Sequence, residues 1–368
     1  MKVGYLLNNT LTDLLNIKYP IIQAPMAGGV TTSQLISEVS KSGGLGMIGA
    51  GYMTPEQIKI QSREIKQLTR GTFGINLFVP NEFTFNDESI TFANEKLAHL
   101  RKELHVGEPE RLDIPQFKQV VASFNEQINV VMEEKIPVCS FTFGIPSEEI
   151  IHELKRQNII LIGTAATVSE AIEIEDKGMD MVVVQGSEAG GHRGNFIKDT
   201  EESLVGLMSL IPQVVDSVKI PVIAAGGIMD GRGLMASLCL GAQGVQMGTA
   251  FITCAESGAN RLHKEAILQT EEDHIILTRS FSGKWARGIK NKFTSDMQEW
   301  EALLPDFPIQ NSLTKSIRKA SSLQGKDAFM SLWSGQSPRL AKEQSVSTLI
   351  HSIVKEAKSI REGMTHLS

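Results

Sequence analysis

Short apolar runs recur along the chain, each too short for a helix and each followed by glycine, proline or a polar residue. They cover residues 20–24, 45–48, 73–79, 136–141, 159–162, 180–184, 220–225 and 244–247. Runs of this length, rich in Val and Ile and apolar on both faces, predict strands of a parallel sheet covered on both sides. Between them the apolar period changes to that of a helix. Thr31-Thr32-Ser33 offers an N-cap for a helix through Val39, and Thr54-Pro55-Glu56 opens a second with proline in its first turn. Further helices are predicted at 116–135, 147–157, 168–177, 204–218 (interrupted by Pro212) and 232–240. Gly163-Thr164 is read as the end of the fifth strand. Eight strands alternating with helices predict an α/β chain folded as a (β/α)8 TIM barrel. A doubly wound open sheet is the alternative. Glycine-rich exits after the last two strands favour the barrel, which commonly binds phosphate there.

Two stretches depart from the rhythm. Residues 81–115 are polar, charged and too long for an ordinary strand-to-helix connection, so they are read as an insertion. Residues 257–337 carry a helical stretch at 257–269, a short strand at 275–277 and another helical stretch around 315–321. They are read as a cap lobe, helical or α+β, over the barrel mouth. A last helix at 345–360 places Leu349, Ile350, Ile353, Val354 and Ala357 on one face. The barrel therefore comprises 1–80 and 116–256, completed by a C-terminal helix within 338–368.

Composition narrows the class of partner. A chain of 368 residues, 41% hydrophobic and 21% charged, with no apolar stretch near membrane-spanning length, is that of a soluble globular protein. Residues 1–15 lack the basic start and small-residue cleavage site of a signal peptide, which predicts a cytoplasmic protein. Cys139, Cys239 and Cys254 lie far apart, without metal-ligand spacing, so buried free thiols are expected and no metal site. The net charge of −6 and the lack of a basic cluster argue against nucleic acid. Small molecules are the expected partners, and the chain is expected to be a monomer or homodimer.

The chemistry is expected at Gln185-Gly186-Ser187-Glu188-Ala189-Gly190-Gly191-His192-Arg193-Gly194. This loop leaves the carboxyl end of the sixth strand, where barrels build their active sites. That position makes His192 the candidate general base. Gly226-Gly227 and Gly248-Thr249 follow the last two strands, where free backbone N–H groups can cradle a phosphate without a lysine. A ligand anchored there reaches Asn76 and Gln185, whose amides match the mixed donor and acceptor edge of a flavin ring. Glu188 reads equally as a partner behind the site or a solvent-facing acid, and Arg193 as a steering charge or a solvated one. The cap segment Ser282-Gly283-Lys284-Trp285-Ala286-Arg287 and the stretch Ser334-Gly335-Gln336 are expected to line the mouth.

Five blocks, in order and on predicted strand exits, carry a likeness to a known family. They are Pro20-Ile21-Ile22-Gln23-Ala24-Pro25-Met26-Ala27-Gly28, Gly74-Ile75-Asn76-Leu77-Phe78, the loop at 185–194, residues 221–227, and Gly244-Val245-Gln246-Met247-Gly248-Thr249. Over nearly its whole length the chain resembles the nitronate monooxygenases, formerly 2-nitropropane dioxygenases, which are FMN-dependent barrels. The resemblance implies FMN held by Asn76, Gln185, Gly190, Gly227, Gln246, Met247, Gly248 and Thr249, with His192 as catalytic base. It implies oxidation of alkyl nitronates, and of nitroalkanes, by O2 to a carbonyl compound and nitrite. The alternative is an FMN-dependent enoyl-acyl-carrier-protein reductase using NAD(P)H, since that family resembles the same blocks.

Overall fold

In the computed structural model, residues 7–107, 114, 116–198 and 200–365 are described. In chain order the elements begin with helix α1 (Thr10–Leu15), strand β1 (Ile21–Gln23), α2 (Ser33–Lys41), β2 (Gly46–Gly49), α3 (Pro55–Leu68) and β3 (Phe73–Phe78). After α4 (Asp87–Glu103) come α5 (Phe117–Glu133), β4 (Val138–Thr142), α6 (Glu148–Arg156), β5 (Ile160–Ala165), α7 (Val168–Asp176) and β6 (Met181–Gln185). A two-residue strand β7 (Gly191–His192) precedes α8 (Leu207–Val215), β8 (Val222–Ala225), α9 (Gly231–Cys239), β9 (Gly244–Met247) and the single turn α10 (Thr249–Ile252). The remainder holds α11 (Arg261–Gln269), β10 (Ile275–Thr278), β11 (Ala286–Ile289), α12 (Lys292–Met297), α13 (Ile309–Leu323) and α14 (Val346–Thr365).

Eight strands pair in parallel in the order β1-β9-β8-β6-β5-β4-β3-β2. A parallel bridge between Ile22 and Leu45 joins β1 back to β2 and closes the circle. The fold is a (β/α)8 barrel. Side chains on each strand alternate between its inside and its outside. Met181 and Val183 join Ile22, Met47, Val138, Ile162 and Ile223 inside, and Leu11 and Leu15 of α1 plug the bottom. Val182 and Val184 point outward with Ile75, Cys139, Leu161 and Val245 against the helical ring. Both faces of each strand are therefore buried in apolar surroundings, which is why the strands read as continuous apolar runs rather than alternating ones. Toward the carboxyl ends, however, the inward parity is polar: Asn76, Ser140, Thr142, Thr164, Gln185 and Gln246 face the cavity there.

The helix N-termini follow local capping chemistry. Thr32, Thr54 and Thr167 each accept a bond from the third helical N–H, and Pro55 opens α3. α14 packs against α9 and α2. Three boundaries differ from the sequence reading. β5 runs on through Gly163 and Thr164 to Ala165 because its ladder with β6 extends that far. The helix expected from residue 257 starts at Arg261, where Asn260 caps it. The charged stretch after β3 contains α4, whose Ile90, Ala93, Leu97 and Leu100 are buried against Leu313 and Ile317 of α13 and Phe293 of α12. This second apolar cluster is separate from the barrel core. β10, β11 and β7 form a small antiparallel sheet that ties the His192 loop to the segment above the mouth. Among the described residues, no helix is long and apolar enough to cross a membrane.

Candidate active site

The carboxyl ends of the barrel strands enclose a cavity of about 210 Å³. Asn76, Gln185 and Gln246 reach it from the ends of β3, β6 and β9. Gly190, His192, Gly227, Gly248 and Thr249 reach it from the loops that follow the strands. Met247 is the exception among the residues singled out in the sequence. One position past the inward Gln246, its side chain points out into the core between sheet and helices and is 1% exposed.

His192 is held by its backbone on both sides. It pairs with Ala286 in the small sheet, and the next N–H, that of Arg193, donates to Trp285 O at 2.8 Å. Gln185 bridges the loop, its Nε2 donating to His192 O (3.0 Å) while its Oε1 accepts from Gly194 N (2.8 Å). The imidazole Nε2 lies 2.8 Å from Ser282 Oγ, which donates its single proton to Lys284 O at 3.0 Å. With that proton so placed, Nε2 donates and Nδ1 keeps the lone pair. Phe143, Phe307 and Trp333 surround the ring at centroid distances of 6.0, 6.1 and 5.5 Å. The ring lines the cavity and is walled in on its other sides by these aromatic side chains. This burial, with the nearby Lys284 and Arg318 charges, pushes its pKa down to about 3. His192 is therefore neutral near pH 7.

Behind the loop, the charged residues do other work than the sequence suggested. Arg193 is 0% exposed and neither steers nor meets solvent. Its guanidinium donates to Gly186 O (2.6 Å), Gln185 O (3.1 Å) and Ser203 O (3.0 Å), stitching the loop to itself. Glu188 is part-buried and does not bond His192. Both its oxygens accept from Leu207 N, the first N–H of α8, at 2.9 and 3.0 Å, so it caps that helix. Arg287 is turned away from the mouth and donates through Nε to Ser187 O at 2.7 Å. The buried Glu170, unremarked in the sequence, accepts from Ala166, Phe196 and Ile197 N–H groups and anchors the far end of the loop.

On the opposite side, Gly226 and Gly227 adopt φ of +133° and +66°, conformations that L side chains rarely take. Among the described residues, the N–H groups of Gly227, Ile228 and Thr249 have no protein acceptor. Thr249 Oγ1 accepts from Gly335 N at 2.9 Å and keeps its own proton to donate. Asn76 donates both amide protons, to Ser140 Oγ (2.9 Å) and Thr142 Oγ1 (3.0 Å), which leaves its carbonyl oxygen as an acceptor. The walls also contain residues that the sequence reading passed over. Ser140, Thr142 and Thr164 had a usable signal, because a polar residue with inward parity at the end of a barrel strand faces the mouth. His263, which donates Nε2–H to Trp333 O at 2.9 Å, and Phe143, in a left-handed backbone at φ +74°, carried none.

The family model for nitronate monooxygenase matches residues 8–356. The chain is 52% identical over 355 residues to the Staphylococcus haemolyticus protein named "Probable nitronate monooxygenase", covering 96% of this chain and 98% of that one. Among solved structures it is similar to a nitroalkane oxidase from Streptomyces ansochromogenes (35% identity, TM-score 0.89, covering 97% and 100% of the two chains). It is also similar to FabK from Thermotoga maritima (31% identity, TM-score 0.77, covering 98% and 99%). A match spanning the barrel, the His192 loop and the segment above the mouth goes beyond a shared fold: the chain belongs to the nitronate monooxygenase family and is an oxidoreductase enzyme.

Proposed function

We propose that the protein binds FMN in the strand-end cavity and oxidises alkyl nitronates, and nitroalkanes, with O2 to a carbonyl compound and nitrite. The observation that carries this reading is a neutral histidine fixed beside a cavity whose other side offers unpaired backbone donors. The donor set fits the cofactor. Gly227, Ile228 and Thr249 supply N–H groups for a phosphate, and the Asn76 carbonyl supplies an acceptor for a ring N–H. When bound, FMN supplies the two-electron redox chemistry that links substrate to O2. Gln246 and Gly248 complete the phosphate side, with Met247 contributing backbone alone, and Gly190 borders the ring.

His192 takes the proton from the carbon bearing the nitro group, and general bases of this kind are worth about 10²–10⁴ in rate. Ser282 sets the tautomer. Phe143, Phe307 and Trp333 keep water from the imidazole. A nitronate arrives already deprotonated, so it needs no base. Extraction and identification of the bound flavin, with nitrite assayed during aerobic turnover of a nitronate without NAD(P)H, test the reading. The reductase alternative predicts instead NAD(P)H oxidation dependent on an enoyl thioester.

A further inference from the structure

Beside the inner cavity lies a larger chamber of about 690 Å³. Tyr52, Phe78 and Phe143 belong to the walls of both, so the two cavities adjoin. The larger chamber's walls are mixed: Phe83, Val120, Phe124, Phe196 and Pro308 give it an apolar side, beside polar residues such as Asn81, Gln119 and Ser123. Two cations stand near the junction: Arg318, whose guanidinium donates to Asn311 O (2.8 Å) and Oδ1 (2.7 Å), and Lys284. The Lys284 ammonium lies over the Phe143 ring, 4.7 Å from its centroid, and Phe143 in turn meets His192. The turn that presents Lys284 is the one that presents Ser282 to His192: Lys284 N and O both bond the Ser282 hydroxyl. Gly283 between them has φ +83°, and a Cβ there would collide with Pro305 O.

Among the described residues, no carboxylate lies in contact with the Lys284 ammonium. Its one hydrogen bond is to Asn195 O, at 3.5 Å, and among the described residues it has no ion-pair partner. The other charged side chains that line the chamber are Asp306, Lys198 and Glu82. Asp306 pairs with Arg279 at 2.6 Å, Lys198 pairs with Glu202 at 3.5 Å, and Glu82 lies on the exposed rim. Burial lowers the Lys284 pKa to about 8; Glu170 and Asp306 oppose the shift and Arg193 adds to it. A partly buried ammonium without a counter-ion is costly unless a ligand supplies the negative charge.

We propose that the outer chamber is a loading site for amphiphilic anions, in which Lys284 meets the charged head and the aromatic walls take the alkyl chain. That the natural occupant is a nitronate with a chain of several carbons rests on the activity proposed above; the binding itself does not. The non-reactive carboxylates octanoate and butanoate, and the neutral octan-1-ol, are the probes, titrated calorimetrically into the purified holoprotein at neutral pH. Octanoate is expected to bind about tenfold or more tighter than butanoate, through its longer buried chain. Lys284→Met weakens octanoate about tenfold while octan-1-ol changes less than about threefold, which also reports that the chamber is intact. Lys284→Arg retains octanoate binding. Val120→Trp, which fills the chamber, weakens octanoate and octan-1-ol together by about tenfold.

Octanoate affinity indifferent to Lys284→Met or to Val120→Trp, or no saturable octanoate binding at all, overturns the loading site. Octanoate binding that depends on Lys284 in a protein that fails to oxidise nitronates contradicts the proposed activity and leaves the loading site standing. Nitronate oxidation together with Lys284-independent binding does the reverse.

Discussion

At the scale of single residues, His192 is tuned by where it sits. In an unfolded chain a histidine titrates near about 6.5, whereas in the folded state burial, Lys284 and Arg318 hold it at about 3. Between those values the unfolded state binds a proton that the folded state refuses, so stability falls as pH drops through that window and is unaffected above it. Thermal melts from pH 7 to pH 4 should therefore show a steeper decline for the wild type than for His192→Gln; parallel curves would show that the ring is not held neutral. The same neutrality bears on chemistry. His192→Ala is expected to lower kcat/KM for a neutral nitroalkane about 10²-fold or more and for the matching nitronate far less, so equal losses on the two substrates would remove the base role. Arg193 makes the opposite kind of contribution. Replacing it by Leu strands two buried carbonyls and one part-buried one, at a cost of roughly 3–5 kcal/mol, which chemical denaturation would read directly. A loss below about 1 kcal/mol would mean that the loop does not depend on it.

At the scale of elements, the site is a loop pinned between a barrel strand and a small sheet outside the barrel. Gly190 shows how tight the fit is: a Cβ there would stand 2.5 Å from Gly335 N and Ser334 C. Gly190→Ala should leave the far-ultraviolet circular dichroism of the barrel unchanged while cutting turnover about tenfold or more, as the loop is pushed off the 334–335 segment. Full activity would place the catalytic geometry elsewhere. This level also separates what could be read in the sequence from what could not. The barrel strands were legible because residues such as those at 181–184 are buried on both faces and so form uninterrupted apolar runs. β7 was not, since two residues carry no period and their pairing is set by β11, about 95 positions away. α4 was hidden by its charged outer face; its buried stripe makes sense only against α13, which lies more than 200 residues further on. At the site, His192 and the glycine exits could be found because strand ends punctuate the sequence. The duties of Glu188, Arg193 and Arg287 depend on which carbonyl or N–H lies nearby, and position along the chain does not say.

At the scale of the whole molecule, two adjoining cavities follow from the architecture. The barrel bottom is plugged by Leu11 and Leu15 of α1, and its top carries a polar ring. The segments around α4 and α13 pack on each other through their own apolar cluster, separate from the barrel core. Leu97→Ala, in the middle of that cluster and fully buried, is expected to cost about 2–5 kcal/mol in unfolding free energy. If denaturation showed no loss, the cluster would not be a cooperative part of the fold. The barrel presents the donors proposed to hold the cofactor and the outer segments present Ser282 and Lys284, so neither alone holds the full set of groups proposed for turnover. The measurement that tests this account most directly is O2 uptake by the purified flavin-loaded protein given an alkyl nitronate without NAD(P)H, with nitrite followed in parallel. The account predicts O2 consumption accompanied by nitrite release. No uptake, alongside NADH oxidation dependent on an enoyl thioester, would contradict it.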